Sequence, residues 1–241
     1  MKLLVLIPAF NEEVNIAFVV NEAREVLQPL YGAVPVLVVD DCSADSTAGL
    51  AKGSGAEVLK LPYHLGLGGG VQAGYRWAYE MGFDTVVRID GDGQHDPRFI
   101  PRLIEALQTN DVQMVIGSRF AHRETNHIHT SFARKWGIRL FRALLRPILG
   151  QEVRDPTSGF VAVNHQALEV FSGSFPLEYP EIEALVVLQR RAFRFLEVPV
   201  TMRPRHGGVS TITAPKALYY LLHVLLGVIV NILRFQRDRW R

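Results

Sequence analysis

The chain has little cysteine and little net charge, and each shortage excludes a class of function. Cys42 is the single cysteine among 241 residues, so the chain can form no internal disulfide and no cysteine-based metal site. A reducing, cytoplasmic setting suits it. Twenty-six Lys and Arg stand against 24 Asp and Glu, a formal charge of +2, too small to argue for nucleic acid. The distribution matters more than the sum, because the cations gather after residue 118. Met1-Lys2 leads through a short apolar stretch to polar Asn11-Glu12-Glu13, which is far too short for the core of a signal peptide. Export by that route is not expected. No Gly-Lys-Ser/Thr follows any glycine run, which excludes a Walker loop. Gly66, Gly68, Gly69, Gly70 and Gly74 follow the third apolar run, whereas a dinucleotide fingerprint follows the first, so NAD is excluded as well. These glycines are expected to allow close backbone approach at a helix start.

What is present reads as one domain with one sizeable core: 48% of residues are hydrophobic and 21% charged. Leu3–Ile7, Val34–Val39, Ala56–Leu61, Thr85–Ile89 and Val112–Ile116 read as strands, β-branched or leucine-rich and bounded by Pro, Gly or Asp. Helical periodicity fills Glu12–Gln28, Ser46–Lys52, Val71–Met81 and Pro97–Gln108. This alternation predicts an α/β fold: one Rossmann-like, mostly parallel sheet with helices on both faces. In such sheets the loops at the strands' carboxyl ends converge on one crevice. Here they are 8–13, 40–47, 63–70 and 90–96.

The loop Asp90-Gly91-Asp92-Gly93-Gln94 is the most informative of these. Two carboxylates one residue apart at a buried strand's end form an oxygen cage suited to a hard divalent cation holding a diphosphate. The competing reading is an Asp/Gly-rich turn, but Pro97 opens a helix directly after it. Pro8-Ala9-Phe10-Asn11-Glu12 turns tightly, leaving backbone amides and a carboxylate near a base or ribose. Asp40, Asp41 and Ser43 follow the second strand, where a carboxylate accepts hydrogen bonds from a base edge or ribose hydroxyls. Asp41 or Ser43 also suits the N-cap of the next helix.

Two stretches point to a membrane surface. Lys135, Arg139, Arg142 and Arg146 are spaced four, three and four apart, which places them on one stripe of a helix opposite Trp136, Leu140, Phe141, Leu144, Leu145 and Ile148. A solvated basic face over a core helix is the alternative. Residues 217–233 are almost unbroken apolar, interrupted by His223, Gly227 and Asn231 at intervals of four. As a helix they rise about 25 Å, short of a roughly 30 Å hydrocarbon core. An interfacial or re-entrant anchor is expected, its small and polar stripe packing on a small membrane partner, a second copy or the domain itself. Arg234, Arg237, Arg239 and Arg241 follow it and favour the cytoplasmic side. His127 and His129, with His122 and Glu124 nearby, fit no helical zinc-ligand spacing and read as a polar loop over the crevice.

PAFNEE at 8–13, VVDDCSADST at 38–47, LGLGGGVQAG at 65–74, DGDGQHDP at 90–97, GSRF at 117–120, RDPTSGF at 154–160 and RHGGVS at 205–210 stand in this order. The set resembles family 2 glycosyltransferases, and within them the dolichyl-phosphate mannose synthase-like branch. The resemblance implies a GT-A fold, an inverting transfer from a GDP- or UDP-sugar to a polyprenyl phosphate, and Mg or Mn. It implies a catalytic domain over 1–211, a nucleotide-binding half to about 118 and an acceptor half after it, with 212–241 associating with the cytoplasmic face of the cell membrane. Position by position, Asp90, Asp92 and Gln94 match the metal and diphosphate site. Pro8, Ala9, Asn11, Glu12, Asp40, Asp41, Ser43, Asp90 and Gly91 match the nucleotide-sugar pocket. Arg119, Arg134, Arg205 and Ser210 match the acceptor-phosphate site, and Asp92 joins the three arginines as the catalytic set. Cys42 stands where glycine is usual, His64 where asparagine is common, and Thr211 where mannose synthases carry lysine; residues 178–183 resemble bacterial relatives that use other sugars. A glycosyltransferase that extends a saccharide is the alternative, with Asp155, Glu181 or Glu183 as its general base. A nucleotide-sugar sensor without catalysis is a third class.

Overall fold

The computed structural model describes residues 1–121 and 145–204. Arg134, Arg205, Ser210, the histidine loop, Lys135 to Arg142 and the 217–233 helix therefore lie outside the described residues.

Seven strands, among the described residues, form one sheet in the order β3-β2-β1-β4-β6-β5-β7. They are β1 (Leu3–Ala9), β2 (Val36–Asp40), β3 (Glu57–Lys60), β4 (Thr85–Arg88), β5 (Met114–Ser118), β6 (Val161–Asn164) and β7 (Phe195–Pro199). All neighbouring pairs are parallel except those of β6, which runs antiparallel between β4 and β5. Helices α1 (Ile16–Tyr31), α2 (Thr47–Gly53), α3 (Gly66–Glu80), α4 (Ile100–Thr109), α5 (His165–Gly173) and α6 (Pro180–Arg190) connect them.

β1 is apolar along its whole length because both of its faces are covered, as expected for a central parallel strand. Leu4 and Leu6 join a cluster with Tyr75 of α3, Phe171 of α5 and Leu185 of α6. Leu3, Val5 and Ile7 face the other way, onto Val19 and Val20 of α1 and Leu103 of α4. Two cores thus sandwich the sheet, and the predicted helices on both faces are present.

Element boundaries differ from the pattern reading where packing overrides periodicity. α1 begins at Ile16 instead of Glu12, since the amides of Glu12 and Glu13 donate to Thr47 Oγ1 and Asp45 Oδ2 at 2.8 and 3.2 Å. It also continues through Pro29 to Tyr31. α3 begins at Gly66, five residues before Val71, so the glycine run is helical. Its first turn lies so close to the 176–177 backbone that a Cβ on Gly68 would sit 2.5 Å from the Leu177 Cα, and Gly74 packs against Leu6 and Val39. Neither Asp41 nor Ser43 caps α2. Ser46 occupies the cap position without a side-chain cap bond, and Asp45 before it accepts from the Thr47 amide at 3.0 Å.

The contact at Gly68 is backbone against backbone and has no side chain to move aside. Gly68→Ala is expected to lower stability by about 1–3 kcal/mol, read as a drop in melting temperature; an unchanged midpoint would show that the 174–179 loop yields freely.

Candidate active site

The predicted loops meet at the carboxyl ends of β1, β2 and β4. Asn11, with φ 54°, and Cys42, with φ 63°, turn the first two strands out of the sheet. The β1 loop is stitched to the β2 loop: the Asn11 amide donates to Ser43 Oγ at 2.9 Å, and the Ala44 amide donates to Asn11 Oδ1 at 2.9 Å. The amides of Asn11 and Glu12 are therefore used inside the protein, a departure from the expectation that they face a ligand. Asp41 accepts from the Leu65 amide at 2.7 Å and lies 2.9 Å from His64 Nδ1, so His64 fastens the third strand's loop to the second. The His64 ring sits 4.1 Å from that of Phe10, which is 44% exposed. Asp40 is wholly buried; Oδ1 accepts from the Ser43 amide, while Oδ2 has no partner among the described residues. A buried carboxylate oxygen left this way costs stability until a donor reaches it.

The 90–96 loop is held from inside. The Asp90 amide donates to His95 Nδ1 at 2.9 Å, and the imidazole stacks on Phe160 with centroids 5.0 Å apart. Burial pushes the His95 pKa below its ordinary value against the pull of Asp90, so the ring is neutral and its Nδ1 is the acceptor. The Gln94 amide donates to Asp92 Oδ1 at 3.0 Å, which fixes the turn that presents Asp92. Gln94 and Arg203 pair through their backbones at 2.9 Å, and His95 bridges Met202. Arg203 then spans Glu22 of α1 at 2.7 Å and Asp96 at 2.9 Å. Residues 200–204, leading toward Arg205 in sequence, are thereby tied to this loop. Gly91 leaves room for Pro8 and Glu12, so Pro8, Glu12 and the 90–92 loop are neighbours.

Two arginines approach Asp90. Arg88 lies beneath it in β4, and Arg119 follows β5. Arg119 forks onto Asp155 at 2.7 and 2.6 Å and donates to Thr157 at 2.9 Å. Burial opposes its charge, but Asp155, and more weakly Asp90, raise its pKa above the ordinary arginine value. The expected phosphate-binding arginine is therefore already seated by a buried carboxylate. Of the described members of the predicted site, Pro8 and Ala9 end β1, Asp40 ends β2, and Asn11, Glu12, Asp41, Ser43, Asp90, Gly91, Asp92, Gln94 and Arg119 follow the strand ends on the same side of the sheet. Sequence reasoning missed Arg88, although a lone charge in the apolar run Thr85–Ile89 was a visible break in pattern. It missed His95 and Gly159 too. A Cβ on Gly159 would lie 2.8 Å from Arg88 and 2.9 Å from Asp90, a closeness that no spacing reveals.

Carboxylates and seated arginines thus gather at the mouth of a mostly parallel, GT-A-like sheet. Residues 4–171 match the model of the family described as Glycosyl transferase family 2, and the chain belongs to that family. It is 32% identical over 228 residues to an undecaprenyl-phosphate mannosyltransferase of Micrococcus luteus, covering 87% of each chain. It is 29% identical to a polyprenol monophosphomannose synthase of Mycolicibacterium smegmatis, covering 86% of this chain and 79% of the other. Among solved structures it resembles glucosyl-3-phosphoglycerate synthase from Mycobacterium tuberculosis in complex with Mn2+, UDP and phosphoglyceric acid. That match has a TM-score of 0.69 and 25% identity, and spans 95% of this chain and 78% of that one.

The buried imidazole gives the fold a pH dependence. His95 has a folded pKa below the 6.5 of the exposed group, so the unfolded chain binds the proton more readily. Its contribution to stability is complete above about pH 6.5 and is lost as pH falls below that toward the folded value. In metal-free buffer the stability gap between wild type and His95→Asn, which keeps an acceptor for the Asp90 amide, should narrow on acidification. A gap that widens would reverse this sign.

Proposed function

We propose that this family 2 enzyme transfers a sugar from a nucleoside diphosphate sugar, GDP- or UDP-linked, to a polyprenyl phosphate at the cytoplasmic face of a membrane. The reading rests chiefly on how the candidate bases are used. Asp155, 1% exposed, accepts from the amide, Nε and a terminal nitrogen of Arg119. Glu181 is paired with Arg88 at 2.7 Å, and buried Glu183 accepts from the Tyr179 amide at 3.1 Å. A sugar hydroxyl needs a base to take its proton, and these three carboxylates are engaged in holding cations and a helix start. A phosphate monoester, with its second pKa near about 6, arrives at neutral pH largely as a dianion and attacks the anomeric carbon without one. Inversion follows from that single displacement. Relatives named for undecaprenyl phosphate and polyprenol acceptors support the same choice.

The donor's base lies, on this reading, by Asp40, whose unpartnered Oδ2 meets an N–H of the base edge, with Pro8, Ala9, Asn11, Glu12, Asp41 and Ser43 around it. The residues present fit a divalent ion. Asp90 and Asp92 offer hard oxygen donors on one loop, and Mg or Mn is commonly held by one or two carboxylates with the substrate's phosphates completing the shell. Gln94 joins them. When bound, such an ion neutralises charge developing on the leaving diphosphate. Arg119, aligned by Asp155, offers fixed positive charge near Asp90 to offset repulsion between acceptor phosphate and donor diphosphate. Arg134, Arg205 and Ser210 complete the acceptor site, and Gly91 admits Pro8 and Glu12 to the donor side. The stripe at 135–146 and the apolar 217–233 supply the membrane contact, alone, with a small partner or in a second copy.

The test is a set of labelled nucleotide sugars offered with polyprenyl phosphate in detergent. Label should enter the organic phase, cease with chelator and return with Mn or Mg. Asp92→Ala should lose about 100-fold or more in turnover with an unchanged melting temperature. Label in water-soluble oligosaccharide, or full activity in excess chelator, would contradict the reading. Arg119→Ala should lose turnover on the same scale, and Arg119→Lys should recover only part of it, since one ammonium cannot fork onto Asp155. Complete rescue by Lys would show that charge without geometry suffices.

A further inference from the structure

Arg88 is the one charged residue of β4, and its side chain is 3% exposed. It shares a sheet face with Val86, which belongs to the core beneath α3, and with Asp90 two residues on. A buried ion pair of this kind commonly adds little to stability over a well-packed apolar pair of equal volume, so its presence here calls for another reason. The geometry gives one. A single terminal nitrogen of Arg88 lies 2.7 Å from Glu181 Oε1 and 3.4 Å from Asp90 Oδ1, joining the start of α6 to the loop across the crevice floor. Glu181 stands in the first turn of α6, where the helix end favours a negative charge.

The remaining contacts explain why the link runs to Asp90. Oδ2 of that carboxylate lies 3.7 Å from His95 Nε2, whose ring is fixed by the Asp90 amide and by Phe160. Gly159, at the approach to β6, leaves open the space in which the guanidinium and the carboxylate meet. Asp90 is therefore approached by Arg88 and by His95, in a space that the missing side chain of Gly159 leaves free. Its own side chain stays 36% exposed toward the crevice.

We propose that Arg88 and Glu181 are a positioning pair that sets the orientation of the Asp90 carboxylate for a divalent cation. The proposal rests on the metal reading above. Neither residue touches substrate. Glu181 acts through Arg88, and Arg88 acts through Asp90. The pair holds the carboxylate in place before the nucleotide arrives, so that binding does not have to order it. Burial alone would weaken the guanidinium's charge, yet Glu181 and Asp90 raise its pKa above the ordinary arginine value, and it remains a permanent cation.

The test is Mn2+ binding to the full chain in detergent, followed by the EPR signal of the free ion in the presence of UDP or GDP. Arg88→Met/Glu181→Met removes both charges together at similar volume and leaves no lone buried ion. It should keep a melting temperature close to wild type but bind Mn2+ about 10-fold more weakly, the scale seen when a partner of a metal ligand is removed. The Mn2+ concentration for half-maximal activity should rise in step. Arg88→Lys should recover part of the affinity. Glu181→Gln, which keeps an acceptor for Arg88 and changes only charge, is the milder variant should the double one fail to fold, and it should weaken Mn2+ binding in the same direction. Folded variants with wild-type Mn2+ affinity would overturn the positioning role. A wild-type chain that binds no Mn2+ even with UDP or GDP present would overturn the metal reading itself, a result distinguishable from the first.

Discussion

Negative charge has to be presented at the end of a buried strand, and this constraint organises the rest of the molecule. Asp90 stands two residues beyond the end of β4, half-buried, where a carboxylate without partners would sit at a cost. Arg88, itself held by Glu181 of α6, offsets that charge, His95 and Phe160 fix its backbone, and Arg119 with Asp155 adds a second cation nearby. The antiparallel β6 belongs to the same solution. It lies beside β4, and a side chain on the Gly159 that precedes it would collide with both Arg88 and Asp90.

A second consequence concerns the two sides of the crevice. Gln94 pairs with Arg203, and Arg203 reaches both Glu22 and Asp96. The loop proposed for donor and metal is thus joined directly to the segment that leads toward Arg205, one of the arginines proposed for the acceptor. The chain's two proposed ligands share one hydrogen-bonded ridge.

Much of this was legible in the sequence because it is local. β1 to β5, the helices between them and the crevice loops follow from runs of apolar residues and their punctuation, and DGDGQ marks the loop after β4 within five residues. What was hidden is non-local or opposes local preference. The partner of Arg88 is 93 residues away, and that of Arg119 is 36 residues away. β6 has only four residues, and the short VAVN run does not announce that it will insert between β4 and β5 against the sheet's direction. The glycine run at 66–70 reads as a loop by propensity, yet it is helical, and the 176–177 backbone leaves no room for a side chain at Gly68. The partners of the three carboxylates weighed as bases are equally non-local or backbone: arginines for Asp155 and Glu181, an amide for Glu183.

The central claim is that the attacking group is a phosphate and that no carboxylate of the chain serves as its base. The most direct measurement is the 31P spectrum of a short-chain polyprenyl phosphate incubated with the enzyme and its nucleotide sugar. The account predicts that the phosphomonoester resonance is replaced by a phosphodiester resonance in step with release of the nucleoside diphosphate. Release of nucleoside diphosphate into a sugar acceptor, with the phosphomonoester resonance unchanged, would contradict it.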